Sequence, residues 1–273
     1  MLGEDVVWSQ NSSDKTDISK ELMQVIRLLS KTLPLNKKLS TLSIGSGFEP
    51  QLIILIATFQ SGVTLLDIDE VPLSEIKVYC KKRGISNIKT VKADYTNEFL
   101  TSTKTTDFFK SHLKNKQDLI TLHHSLYYSE EENWLQLFEN IYKILLKQKG
   151  VIHAVMMASK SDNPLSTTWL YNHFAGKFFN CRNNQNLKKF GKELQNNKTF
   201  NNSSIKTKTN KINFWIDDFE KFMAVIWMIL LYPNVHNYTD EQKEEITEFT
   251  YNNFWLPKQP LLQMQDYLTI IKN

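Results

Sequence analysis

Between residues 38 and 158 the chain alternates short, β-branched apolar runs with segments that read as helices, and this alternation limits the fold more than any other feature. Runs at 38–44, 63–68, 88–93, 118–123 and 150–157 read as strands. The apolar run 52–59 reads as a helix opening near Pro50, a favoured first-turn residue, and 73–82 and 130–146 read as two more. This order predicts an α/β fold: a parallel sheet with helices on both faces. Such a sheet binds ligands beyond the carboxyl ends of its strands, where the winding reverses. Functional residues are therefore expected just after residues 44, 67, 94 and 123. A helix over 18–33, N-capped by Asp17 and stopped by Pro34, precedes the first strand.

After residue 160 the pattern loosens. Trp169 and His173 fall one turn apart on a helix, and a strand over 205–216, an apolar helix 217–231, a charged helix 239–249 and a final strand 261–271 follow. The run Phe222–Tyr232 reads as core. Residues 180–213 carry eight positive charges against one negative, which predicts a surface helix near 187–195 and a solvated loop. With no internal repeat and no clear linker, 1–273 is expected to be one domain. Residues 36–160 would form a cofactor-binding core and 161–273 a substrate-covering part, with 180–213 an Asn/Lys-rich insert.

Composition narrows the function classes. Hydrophobic residues at 41% and charged residues at 23% are the balance of an ordinary globular protein, so disorder is excluded. Two cysteines, Cys80 and Cys181, cannot build a disulfide framework and suggest reduced thiols of a cytoplasmic protein. No Cys/His cluster has metal-ligand spacing, so no metal is expected. The start MLGEDVVWSQ has no signal-peptide pattern, and no apolar run approaches the roughly 20 residues of a membrane span. Neither a membrane nor a nucleic-acid partner is expected. The net charge of +4 rests on 30 lysines against 3 arginines, whereas bidentate reading of phosphates or guanines prefers arginine. The sequence fixes no oligomeric state.

The central motif is Leu42-Ser43-Ile44-Gly45-Ser46-Gly47-Phe48-Glu49-Pro50, a glycine turn between a strand and a helix. Glycines there let backbone approach a ligand closely. A dinucleotide fingerprint would need a third glycine where Pro50 stands, and Glu49 would set a carboxylate against a pyrophosphate. No Gly-Lys-Ser/Thr follows, so a P-loop is excluded too. S-adenosylmethionine suits the turn better, because it has no phosphate and carries a sulfonium and an ammonium. Asp67, 22 residues after Gly45, could accept both ribose hydroxyls, and Asp94 the adenine amino group. Helix capping is the alternative use of either aspartate.

These residues resemble the class I S-adenosylmethionine-dependent methyltransferases, and within them the histamine N-methyltransferases. Leu42-Ser43-Ile44-Gly45-Ser46-Gly47 is similar to that family's Leu-Ser-Ile-Gly-Gly-Gly loop, with a serine where most class I enzymes have an acid. The segment Asp118–Tyr128 is similar to its fourth strand and Leu-Tyr-Tyr, and Asp266-Tyr267-Leu268-Thr269 to its closing strand. The resemblance implies a Rossmann-like class I methyltransferase fold, a mostly parallel sheet with an antiparallel C-terminal strand. It implies S-adenosyl-L-methionine as cofactor, bound through Gly45, Ser46, Gly47, Asp67, Ile68, Asp94, Tyr95, Thr96 and His123.

On the acceptor side the resemblance implies His124, Tyr127, Tyr128, Trp169 and Asp266 around a small amine. His124 stands where the family has a glutamine, and is the candidate catalytic residue, as proton acceptor or hydrogen-bond partner. Asp266 could anchor an ammonium. Lys15 falls where the family has an acid, and of its N-terminal aromatic lid only Trp8 is left. The resemblance thus implies N-methylation of an amine or imidazole. Methylation of a natural-product amine or hydroxyl, or a silent methyltransferase-fold binding protein, are the alternatives.

Overall fold

The five apolar runs between residues 38 and 158 form parallel strands, four of them largely buried, while the run at 88–93 forms a half-exposed strand at the sheet edge. The structure, a computed structural model, describes residues 2–32, 38–231 and 236–273, so the helix stop assigned to Pro34 and the end of the apolar run at Tyr232 lie outside the described residues. In chain order the elements are α1 (Leu2–Asn11), α2 (Asp14–Thr32), β1 (Ser40–Ile44), α3 (Leu52–Thr58), β2 (Gly62–Asp67), α4 (Glu70–Lys82), β3 (Ile88–Lys92), α5 (Tyr95–Glu98), α6 (Ser102–His112) and β4 (Gln117–His123). They continue with α7 (Glu131–Asn140), β5 (Leu146–Met157), α8 (Thr167–Phe179), α9 (Leu187–Gln195), β6 (Ser203–Phe214), α10 (Phe219–Leu230), α11 (Asp240–Thr250) and β7 (Leu261–Lys272).

The seven strands form one sheet in the order β3-β2-β1-β4-β5-β7-β6. Neighbours from β3 to β5 are parallel. β7 runs antiparallel between β5 and β6: Gln148 and Ala158 of the β5 side meet Asn273 and Met264, and Asn202 and Thr209 meet Asn273 and Asp266. The predicted Rossmann-like sheet with an antiparallel C-terminal strand is therefore what the chain forms.

The chain builds two compact units. One comprises the described residues of 1–17, 157–186 and 209–266, the other those of 18–156, 187–208 and 267–273. In the second unit, alternate residues along each strand serve two cores. Leu42, Ile44, Leu66, Ile120 and Leu122 face one side with Trp134 and Phe138 of α7 and Phe190 of α9. Val63, Leu65, Leu119 and Val151 face the other with Leu22 and Val25 of α2, Leu55 of α3 and Ile76 of α4. At the amino end of β4, buried Asp118 accepts from Ser40 N at 2.9 Å and from Lys147 Nζ at 2.6 Å. Such a carboxylate is stable out of water because donors and a cation surround it.

The first unit has its own core of Trp8, Tyr171, Phe174, Phe214, Phe222, Ile226 and Phe254. Trp8, the expected remnant of a lid, is part of this core, stacked on Phe214 with centroids 5.3 Å apart. The run from Phe222 packs as read: Phe222, Val225, Ile226, Ile229 and Leu230 are buried.

Several boundaries differ from the sequence reading. α2 begins at Asp14, so Asp17 lies in its first turn and its carboxylate accepts from Asn210 Nδ2 at 2.8 Å. α1 and α6 were not foreseen; the run Ser-Thr-Lys-Thr-Thr that opens α6 hides it, because such residues favour helices weakly. Thr101 caps it by accepting from Lys104 N, and Phe108 anchors it against Phe99. The helix over 130–146 ends α-helical at Asn140, continues as a π turn to Leu145, and β5 starts at Leu146 instead of 150. Lys149, at φ 64°, lies in this early part of β5, where the register to β4 shifts between Gln117 and Leu119.

Candidate functional site

Parallel winding brings the carboxyl ends of β1, β2, β3 and β4 together, and the turns that leave them hold most of the expected cofactor contacts. Gly45 and Gly47 follow β1 with φ of 63° and 48°. A Cβ on Gly45 would stand 2.4 Å from Ser125 Cβ, so the turn after β4 packs directly on this glycine. Ser46 N bonds Leu66 O at 3.0 Å, and Gly47 N bonds Asp67 Oδ2 at 2.7 Å, which ties the turn to the end of β2. Asp67 Oδ1 accepts from Asp69 N at 2.9 Å. An ionised carboxylate has about four acceptor positions, so Asp67 keeps capacity for a further donor on each oxygen. Ile68 beside it is 66% exposed, an apolar face at the strand end.

After β3, Asp94 caps α5, its Oδ1 accepting from Thr96 N at 2.9 Å and Thr96 Oγ1 at 2.7 Å. Thr96 therefore serves Asp94 directly. Buried Tyr95 donates to Ser125 O at 2.5 Å, and burial followed by the charge of Asp94 pushes its phenol well above the ordinary range. This bond and the Gly45 contact join the turns after β1, β3 and β4.

Ser125 was not foreseen. Its serine is a small residue after a strand, a signal too common to single out. Its Oγ and that of Ser46 are buried with no partner among the described residues. Two buried hydroxyls without partners are costly unless a ligand or water satisfies them. Positive-φ glycines, these hydroxyls and the partly committed Asp67 fit a cofactor bearing ribose hydroxyls and polar ends. The buried carboxyl of Glu49 at the same turn fits a phosphate-bearing one poorly.

The two histidines at the end of β4 have different surroundings. His123 Nε2, half-buried, lies 2.9 Å from Nδ1 of the buried His153 of β5, in an edge-to-face pair. Burial, then the charges of His153 and His124, holds His123 well below the usual range, and burial with the Lys208 charge takes His153 to about 3. His123 is thus a neutral partner of His153, with one ring nitrogen already committed. His124 is half-buried with φ 53°, its N bonded to Val155 O at 2.8 Å and its Nδ1 3.2 Å from Tyr127 Oη. Tyr128 is 67% exposed. The other two expected acceptor contacts belong to the first unit. Trp169 is half-buried between His173 at 4.3 Å and Phe249 at 5.5 Å, and buried Asp266 accepts from Thr209 Oγ1 at 2.5 Å.

The histidine pair has a pH consequence. The unfolded chain takes up protons on both rings near pH 6.5 while the folded chain refuses them, so stability is complete above that pH and falls below it. Each proton taken up on unfolding contributes a slope of about 1.4 kcal/mol per pH unit. Urea midpoints at pH 7.5, 6 and 5 should decline steeply, and His153→Asn should flatten the decline. A wild-type midpoint unchanged across that range would show that the folded pair accepts protons.

No protein-family model matches the sequence, and no curated protein matches it. Solved structures do. The YcgJ protein of Bacillus subtilis superposes with a TM-score of 0.54 at 12% identity, over 92% of this chain and 99% of its own. A protein of Bacillus halodurans C-125 designated a methyltransferase gives 0.52 at 14% identity, over 90% and 98%. One of Galdieria sulphuraria designated a sarcosine dimethylglycine methyltransferase gives 0.53 at 12%, over 95% and 85%. At these identities the likeness is one of fold: the chain has the Rossmann-like methyltransferase architecture. No helix among the described residues is long and apolar enough to cross a membrane.

Proposed function

We propose that this protein is an S-adenosyl-L-methionine-dependent methyltransferase that acts on a small molecule and methylates a nitrogen of an amine or imidazole. The observation that carries the reading is the convergence of Gly45, Asp67 and the unsatisfied hydroxyls of Ser46 and Ser125 at the carboxyl ends of the parallel strands. Asp67 would hold the ribose hydroxyls, Ile68 would cover one face of the adenine, and Asp94 Oδ2, which has no bond among the described residues, would take its amino group. When bound, the cofactor supplies an activated methyl group on a sulfonium.

What the chain must add is position: a neutral acceptor nitrogen held in line at near-attack distance. His124 is the candidate to take or share the acceptor's proton, since an imidazole ring can accept a hydrogen bond or a proton from an amine nitrogen. Its left-handed backbone is a conformation found at sites held for function. Tyr127 and Tyr128 would offer aromatic faces to a cationic amine.

Calorimetric titration with S-adenosylhomocysteine tests the reading. Saturable one-to-one binding is expected, and Asp67→Ala should weaken it about 10- to 100-fold, the worth of charge-assisted bonds to two hydroxyls. Absence of binding to the wild type would end the methyltransferase reading, and full affinity in the variant would remove Asp67 from its role. Histamine is the first acceptor to try, then other aromatic amines.

A further inference from the structure

Glu49 closes the glycine turn in a way that packing does not explain. Its φ is 44°, a left-handed value uncommon for a residue with a Cβ, and its side chain is buried. The carboxyl accepts from Ser43 Oγ and from Gln51 N, and Gln51 Oε1 in turn accepts from Ser19 Oγ at 2.6 Å. Both donors to Glu49 are neutral, and among the described residues no lysine, arginine or histidine pairs with it. Burial accordingly pushes its pKa above the ordinary glutamate range, against the two hydrogen bonds. A buried acid without a counter-charge is a standing cost that a cationic ligand would remove.

The neighbouring atoms indicate what kind of cation. Glu49 N bonds Ser46 O at 2.7 Å, so the acid and the unsatisfied Ser46 hydroxyl belong to one turn, and Ser125, with the second unsatisfied hydroxyl, packs on Gly45 of that turn. One carboxyl and two unspent hydroxyl donors match the two ends of an α-amino acid. Resting on the cofactor reading above, we propose that Glu49 binds the α-ammonium of the cofactor's methionyl end, while the hydroxyls of Ser46 and Ser125 donate to its carboxylate. Glu49 thereby selects cofactors that retain the amino-acid tail.

A bracing role for Glu49 is separable from this one. In Glu49→Gln the amide oxygen can still accept from Gln51 N and the amide nitrogen can donate to Ser43 Oγ, but the charge is gone. The full chain and the variant are titrated calorimetrically with two probes, S-adenosylhomocysteine and methylthioadenosine, a thioether that keeps the adenosine and lacks the amino acid. The variant should bind S-adenosylhomocysteine about 10- to 100-fold more weakly, as for a lost charge-assisted bond, and methylthioadenosine as the wild type does. Ser46→Ala should show the same selectivity to a smaller degree. Unchanged affinity for S-adenosylhomocysteine, or an equal loss for both probes, would overturn the assignment of Glu49 with the cofactor reading intact. A wild type that binds neither probe would overturn both.

Discussion

Gly45→Ala is expected to lose about 3 kcal/mol of stability and all measurable affinity for S-adenosylhomocysteine. Two costs meet at this position. A residue with a Cβ is strained at φ 63°, by about 1–2 kcal/mol. The new methyl would also stand 2.4 Å from Ser125 Cβ, with Ser125 Oγ at 3.2 Å, and such overpacking costs about 1–3 kcal/mol. The strain cannot relax locally, because Ser125 O holds the Tyr95 hydroxyl and Ser46 N is bonded to Leu66 O. Urea unfolding followed by tryptophan fluorescence gives the first quantity and calorimetry the second. Adding Ser125→Gly should recover the overpacking part and leave the backbone part. A single variant with wild-type midpoint and affinity would mean that the turns after β1 and β4 are not packed as described.

Trp134→Ala should be the most damaging core substitution, at about 4 kcal/mol, within the range for truncating a buried tryptophan. Trp134 is fully buried, its ring is edge-on to Phe190 of α9 with centroids 5.4 Å apart, and its Nε1 donates to Ser129 O at 3.0 Å. That bond reaches the site. Ser129 N bonds Leu126 O, closing the helical turn that follows Ser125, so the indole fixes the loop after β4 from below. Trp134→Phe should keep most of the packing yet lose the bond. It should therefore unfold near the wild-type urea midpoint while the amides of 125–129 exchange hydrogen faster. Equal exchange in both proteins would confine Trp134 to a packing role.

Much of the candidate site was legible in the sequence because the largely buried parallel strands leave near-continuous apolar runs, and the turns that gather at their carboxyl ends can be placed from them. Gly45, Asp67 and Asp94 could be picked out from that rule and their residue types. Glu49 was read as an obstacle to phosphate; that it is buried, bonded to Ser43 and without a counter-charge among the described residues depends on a left-handed backbone that the sequence Phe-Glu-Pro does not announce. Ser125 was invisible because its importance comes from the absent side chain of Gly45, 80 residues earlier. His123 was read as a cofactor contact, but its partner His153 sits on β5, and that pairing depends on the β4–β5 register, in which Thr121 stands beside His153. The insert was easier. Its lysines 188, 189 and 192 are exposed while Leu187, Phe190 and Leu194 turn inward, a separation written directly in the 3.6-residue period.

The strand order also sets a schedule for synthesis. β6 leaves the ribosome before β7, yet β7 is the strand through which β6 joins the sheet. Until the ribosome has released residues 261–272, β5 offers an open edge and β6 has no strand to lie against. Unpaired edges of this kind invite association with other chains. The nascent protein would thus pass through a vulnerable interval that ends only when β7 inserts, and the exposed, charged residues of β6, such as Lys206 and Lys211, are suited to keeping that waiting edge in water.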